Sequence, residues 1–282
     1  MKKSVIVTSS DDRYFWLLQG LILSVKECLS LHDVVVLDIG LAAEQIGWLS
    51  HNGASVVPMP TWLPLPNGAP ASARAQTCRP YLPEIVRGYD TYLWLDSDIW
   101  VQTPQSIDWI VRIANSTKAL VVCPEIHHAY LHLTSVDHSH YYARERHDAA
   151  AKLGGDDLWK RIRYLPWLNS GMFAAHATSG LWRAYSASLE RMAKNPFVRL
   201  IDQVALLEAV LDGHRSYHLP STFNWICAFT LPHRDENGFW RTPFAFPNER
   251  IHILHLAQSA RVDYRSTGML YDSGNYLARS DT

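Results

Sequence analysis

The alternation in residues 4–60 constrains this chain more than any other feature. SVIVT (Ser4–Thr8), VVVLDIG (34–40) and ASVVPMP (54–60) read as three short apolar strands. Between them, YFWLLQGLILSVKECLS and AAEQIGWLSHNG carry apolar residues at helical spacing, and Gly53 closes the second stretch as a C-cap. Strands separated by helices return parallel, because the helix carries the chain back across the sheet face. The expectation is an α/β fold: a mostly parallel central sheet with helices on both faces. Such sheets take ligands at the carboxyl ends of their strands.

Downstream, WLPLPNGAPASA (62–73) is a Pro/Gly/Ala loop, and a helix is expected from about Arg79 to Arg87. DTYLWLDSDIWV is a strand that runs into two acids. ALVVCPE reads as another strand, and residues 126–163 are polar, His-rich and without a clean strand. YLPWLNSGMFAAH suggests a strand and turn. SGLWRAYSASLERMAKN and IDQVALLEAVLDG are helices, the second closed by Gly213. HRSYHLPSTFNWICAF and RIHILHLAQ are late strands. No repeat or linker divides the chain, so 1–282 is expected as one domain of two halves, about 1–103 and 104–282.

Asp96 and Asp98 follow the apolar run Tyr92–Leu95. Desolvating a carboxylate costs several kcal/mol unless it is paired or metal-bound. Acids at i and i+2, turned at a strand end, can meet on one hard cation, and Mg²⁺ or Mn²⁺ there suits a nucleotide diphosphate. The alternative is a turn cap at Asp96 and a solvated loop acid at Asp98. The aspartyl phosphatases also end a strand with Asp-x-Asp, but on their first strand and followed by a small residue, where this chain has Trp100.

A net charge of −1 shows no basic footprint for nucleic acid and no polybasic run for anionic lipid. Cys28, Cys78, Cys123 and Cys227 lie far apart in apolar surroundings, which points to buried thiols in a reducing compartment. Neither a signal peptide nor a membrane span is legible, so the expected setting is cytoplasmic, with peripheral contact near a membrane compatible. Most of the 11 tryptophans are expected in the core.

Several blocks together resemble the nucleotide-sugar glycosyltransferases of the GT-A fold, most closely glycosyltransferase family 8, the group of glycogenin and the bacterial lipopolysaccharide galactosyl- and glucosyltransferases. The likeness runs over about residues 4–261, in IVTSSDDRYF, QTCRPYLPEIVRGYDTYLWLDSDIW, LNSGMFAAH, IDQVALLEAV and RIHILHLAQSARVDYR. It implies a Rossmann-like sheet with a smaller acceptor-side lobe. It implies a nucleotide site at Thr8, Ser9, Ser10, Asp11 and Tyr14, with Asp96, Ser97 and Arg261 on the diphosphate side. It implies donor-sugar contacts from Arg79, Asn169, Ser170, Asp202 and Gln203, with Asp202 and Gln203 nearest the reacting carbon. Gly171 would let backbone approach the ligand, and His255 would be the third metal ligand, with His252 as a competitor. The implied activity is metal-dependent transfer from a UDP-sugar to a carbohydrate, glycolipid or protein hydroxyl, with retention of configuration, using Mn²⁺ or Mg²⁺. This chain departs from the family at Arg13, Gln258 and Val262-Asp263.

Two other classes stay open at this level. A nucleotidyltransferase would want a Gly-rich basic loop after the first strand, and TSSDDRYF is neither. A non-catalytic nucleotide-sugar binder on the same fold is compatible with every residue named. The histidines of EIHHAYLHLTSVDHSHYYARERHD fit no zinc spacing and are expected in an acceptor-binding or lid segment.

Overall fold

A computed structural model describes residues 3–130, 141–243 and 248–257. The strands are β1 (Ser4–Ser10), β2 (Asp33–Asp38), β3 (Ala54–Pro58), β4 (Thr91–Leu95), β5 (Ile99–Val101), β6 (Leu120–Pro124), β7 (Leu168–His176), β8 (Ser216–His218), β9 (Trp225–Ile226), β10 (His233–Arg234), β11 (Trp240–Arg241) and β12 (Ile253–His255). The helices are α1 (Phe15–Ser24), α2 (Ala43–His51), α3 (Arg74–Thr77), α4 (Leu82–Ile85), α5 (Gln105–Thr117), α6 (Tyr141–Ile162), α7 (Leu181–Met192) and α8 (Ile201–Leu211).

Seven strands form the central sheet in the order β3-β2-β1-β4-β7-β6-β8. The pairs β3-β2, β2-β1, β1-β4 and β6-β8 are parallel. The long strand β7 runs against both of its neighbours, β4 and β6. This is the mostly parallel sheet that the opening alternation called for.

The continuous apolar runs have a simple cause. Alternate residues of a strand feed opposite faces, and here both faces are covered. Val5, Val7, Val35, Leu37, Tyr92, Trp94 and Phe173 enter one core with α7 and α8. Ile6, Val34, Val36, Leu93, Leu95 and Met172 enter the other with α1 and α5. Trp94, Trp100, Trp167, Trp182, Trp225 and Trp240 are buried, as expected for most tryptophans, whereas Trp62 and Trp109 are exposed. All four cysteines are buried, and no disulfide joins them.

The acid pair marks a change of sheet. The Asp96 N–H donates to the Gly171 carbonyl at 2.8 Å, and Ile99 N–H to the Asp96 carbonyl at 3.0 Å. That tight turn ends β4 and sends β5 into a separate sheet of order β5-β12-β9. There Ile99 stands opposite His255 in antiparallel register, and the Leu256 N–H donates to the Asp98 carbonyl at 2.9 Å. A third core, with Trp100, Tyr130, Trp225, Trp240 and Leu254, packs under this smaller sheet.

Three details differ from the sequence reading. The single helix expected over Arg79–Arg87 is broken: Arg79–Tyr81 is a 3₁₀ turn and only Leu82–Ile85 is α-helical. Pro80 and Pro83 account for this, since each removes a backbone donor and restricts the residue before it. Helix α5 was unread, although Ile107, Ile110, Val111 and Ala114 form its buried stripe at helical spacing. The His-rich stretch is helical from Tyr141 onward, while residues 131–140 lie outside the described ones. Among the described residues no helix is long and apolar enough to cross a membrane.

Candidate active site

Topology gathers the chemistry at one edge of the central sheet. Asp96 follows the carboxyl end of β4, Glu125 follows β6, and the antiparallel β7 presents Asn169, Ser170 and Gly171 from its amino end. The first turn of α8 adds Asp202 and Gln203. Around them lies a cavity of about 430 Å³, lined by Tyr14, Arg79, Asp96, Glu125, Asn169, Ser170, Gly171, Asp202, Gln203 and His255 among others. That volume falls in the range of small-molecule sites.

Arg79 is the hub. It is 6% exposed. One terminal nitrogen donates to the Ser170 hydroxyl at 2.8 Å and pairs with Asp202, while the other donates to Asp96 at 2.5 Å. The Ser170 hydroxyl in turn donates to Asp202 at 2.6 Å. Burial alone would lower the Arg79 pKa, but Asp202 and Asp96 outweigh it and hold the guanidinium above its ordinary value. The Trp94 indole N–H donates to the same Asp96 oxygen at 2.7 Å. Burial and the neighbouring Asp98 raise the Asp96 carboxyl, against the lowering effect of Arg79.

With its Oδ1 taken by Arg79 and Trp94, Asp96 keeps Oδ2 for something else. The Nε2 of His255 lies 3.9 Å from that oxygen and 3.3 Å from Asp98 Oδ1. Asp96, Asp98 and His255 are the one group among the described residues whose ligand atoms lie close enough to share a metal, all within 4.8 Å of one another. Octahedral ligands at about 2.1 Å from a small dication stand about 3 Å apart when adjacent, so these separations fit after a small contraction.

The hydrogen-bond polarity supports the same conclusion. The Gly171 backbone N–H donates to Asn169 Oδ1 at 3.0 Å, which identifies that atom as the oxygen. Asn224 must then turn its NH₂ toward the same oxygen, as it does at 2.9 Å, and face His255 Nδ1 with its carbonyl at 3.0 Å. Nδ1 therefore carries a proton, which makes Nε2, the nitrogen facing the two carboxylates, the one available to a metal. A cation satisfies that arrangement. The charges agree: Arg79, Arg146 and Arg199 line the cavity with Asp96, Glu125, Glu145 and Asp202, and Asp98 stands beside His255, so carboxylates outnumber guanidiniums.

Gly171 is also constrained by the side chains around it. A Cβ there would lie 2.5 Å from His255 Cε1, 2.8 Å from Asp96 Oδ2 and 2.9 Å from Asn169 Oδ1. Glycine is needed so that the three-ligand cluster can close.

The remaining sequence candidates divide. Tyr14 is 39% exposed and faces the cavity. Thr8 is fully buried with its hydroxyl unpartnered, and Ser9 and Ser10 are buried at the end of β1. Both Asp11 oxygens are engaged, Oδ1 by the Tyr14 N–H at 3.2 Å and Oδ2 by Arg13 at 3.0 Å, the helix-cap use of that acid. Thr8, Ser9, Ser10, Asp11 and Ser97 are not lining residues of the cavity. His252 packs instead against Phe223, its ring 4.6 Å away, and Arg261 lies outside the described residues.

Sequence reasoning missed Glu125, Arg146 and Asn224. Glu125 is 6% exposed and joins Asn169, Gln203 and Arg146. An acid directly after the apolar strand LVVCP was the available signal, of the same kind that singled out Asp96. Asn224 offered none.

No family model and no curated protein matches the chain. Solved structures do. The galactosyltransferase LgtC, in complex with donor and acceptor sugar analogs, superposes with TM-score 0.56 at 17% identity over 96% of each chain. The apo bifunctional glycosyltransferase WbbM gives 0.57 at 14% identity, over 92% of this chain and 46% of WbbM. The apo glycosyltransferase GlyE of Streptococcus pneumoniae TIGR4 gives 0.51 at 14% identity, over 92% of this chain and 55% of GlyE. This chain thus spans about half the length of WbbM and GlyE. The likeness establishes the fold, the GT-A fold of these glycosyltransferases.

Proposed function

We propose that the protein is a glycosyltransferase that moves a sugar from a nucleotide sugar, a UDP-sugar, to the hydroxyl of a carbohydrate, glycolipid or protein acceptor. The observation that carries this is the Asp96-Asp98-His255 cluster beside a ligand-sized cavity, next to the Arg79-Ser170-Asp202 group. LgtC, a galactosyltransferase of the same fold solved with donor and acceptor sugar analogs, supports it.

Asp96 Oδ2, Asp98 Oδ1 and His255 Nε2 would hold Mn²⁺ or Mg²⁺, and Mn²⁺ suits the mixed oxygen-nitrogen set better. Bound there, the metal would neutralise the diphosphate and ease its departure. Tyr14 offers a ring face to the base. Asn169, Ser170 and Asp202 would supply partners to the hydroxyls of the donor sugar. Arg79 fixes Ser170, Asp202 and Asp96 relative to one another, so donor and metal sites keep a common geometry. Gln203 is the polar group offered to the reacting carbon, consistent with retention of configuration. The departing phosphate serves as acceptor for the incoming hydroxyl's proton.

Hydrolysis of a panel of nucleotide sugars tests the reading. Turnover should require Mn²⁺ or Mg²⁺, stop with EDTA, return on adding metal back, and be lost in Asp98→Ala. Metal-independent binding without turnover, equal in the wild type and Asp98→Ala, would instead identify a nucleotide-sugar sensor.

A further inference from the structure

We propose that Glu125 is a positioning residue of the donor site, setting which end of the Gln203 side-chain amide faces the cavity. This rests on the glycosyl-transfer reading above and adds to it a residue and a role.

An amide side chain can present either its carbonyl or its NH₂, and the two ends do opposite chemistry. A carbonyl oxygen can stabilise developing positive charge at a reacting sugar carbon, whereas an NH₂ group cannot. Gln203 lines the cavity, and its Nε2 donates to Glu125 Oε1 at 3.0 Å. A carboxylate only accepts, so this contact commits the NH₂ to Glu125 and leaves Oε1 as the end available to a ligand in the cavity.

The orientation of Glu125 is itself fixed by donors that cannot reverse. Arg146, 9% exposed, pairs with its second oxygen, Oε2. Oε1 also receives Asn169 Nδ2 at 2.8 Å, and the Asn169 amide is oriented by the Gly171 backbone N–H. Guanidinium and backbone N–H groups donate and never accept. Every hydrogen bond between these two anchors therefore has one direction, and Gln203 follows from Glu125. Burying a carboxylate on three donors is a costly way to support a fold, since an apolar group of equal size often stabilises as well or better. A role in orienting one amide accounts for its presence beside the cavity.

Glu125→Gln tests this. The substituted amide must face Arg146 with its carbonyl, which turns its own NH₂ toward Gln203 and Asn169. Gln203 then flips or loses its partner. The expected result is a fall in kcat of at least 10-fold for nucleotide-sugar turnover, with the donor KM within about 3-fold of wild type. Glu125→Asp, which keeps the acceptor on a shorter stem, should recover part of the loss. The second readout needs no turnover: the Gln203 side-chain NH₂ resonances, assigned by their disappearance in Gln203→Ala, should shift in Glu125→Gln. Wild-type kcat in Glu125→Gln, a loss in KM alone, or unmoved Gln203 resonances would overturn the positioning role. Absence of turnover in the wild type would overturn the enzyme reading instead, while the resonances still decide the orientation.

Discussion

Replacing Gly171 by alanine should disable the metal cluster while leaving the fold in place. The added Cβ meets His255 Cε1 at 2.5 Å and Asp96 Oδ2 at 2.8 Å. Ordinary carbon contacts are about 3.5–4.0 Å, so the imidazole must retreat by about 1 Å. Metal-ligand distances tolerate only about ±0.2 Å. Disturbing groups that merely orient ligands already costs about 10–100-fold in metal affinity, equivalent to about 1.4–2.7 kcal/mol. Displacing a ligand itself should reach at least that. The extra methyl in a packed strand should cost a further 1–3 kcal/mol of stability, roughly, a Tm loss of several degrees. The assay is a Mn²⁺ titration followed by tryptophan fluorescence, because the Trp94 indole N–H bonds Asp96 directly at 2.7 Å. Gly47→Ala in α2 is the control: nothing lies within 4 Å of its added Cβ, so it should keep wild-type Mn²⁺ affinity. Gly171→Ala that folds and binds Mn²⁺ as tightly as wild type would refute the reasoning.

Three further outcomes are expected. Arg79→Ala leaves Asp202, 3% exposed, as a buried acid without its guanidinium, which should cost about 3–5 kcal/mol in urea unfolding and abolish donor binding. Asn224→Ala removes the acceptor of the His255 Nδ1 proton, and should weaken Mn²⁺ about 10–100-fold by titration while costing about 1–3 kcal/mol of stability from the buried group left unpaired. Burial lowers the pKa of His127 and His252, against Glu249 at His127 and reinforced by Arg250 at His252. In the window from their unfolded value near 6.5 downward, the unfolded chain takes up these protons first. Stability should therefore fall as the pH drops from 7.5 to 5.5, and His252→Gln should flatten that slope in denaturant melts.

The parts of this site legible in the sequence were those with a local signature. An acid pair after four apolar residues is an anomaly that needs no partner to be noticed, and Asp96 and Asp98 proved to share a cluster with His255. The β-α-β-α-β opening was equally visible, because strand and helix leave different periods. Asn169 and Ser170 were found only through resemblance, since Asn-Ser-Gly alone reads as a turn and here lies inside a buried strand. Asn224 was beyond reach because its meaning lies in partners 31–55 positions away, whereas Glu125 carried a local signal, an acid after an apolar strand, that went unread. Helix α6 was hidden by its glycines: Gly155 has φ +72, a break that interrupts any helical pattern.

The place of β7 has a consequence for how the chain is made. It is the seventh strand in sequence yet sits in the middle of the sheet, between β4 and β6. Until residue 168 has been synthesised, β4 remains an open edge carrying Tyr92, Leu93, Trp94 and Leu95. At about 5–20 residues per second that interval is roughly 4–15 s, long enough for an apolar edge to pair with a neighbouring nascent chain. A ribosome-bound chaperone should therefore engage this protein between β4 and β7. The strand that ends that exposure also delivers Asn169, Ser170 and Gly171, so the same event covers the sticky edge and adds a wall to the cavity.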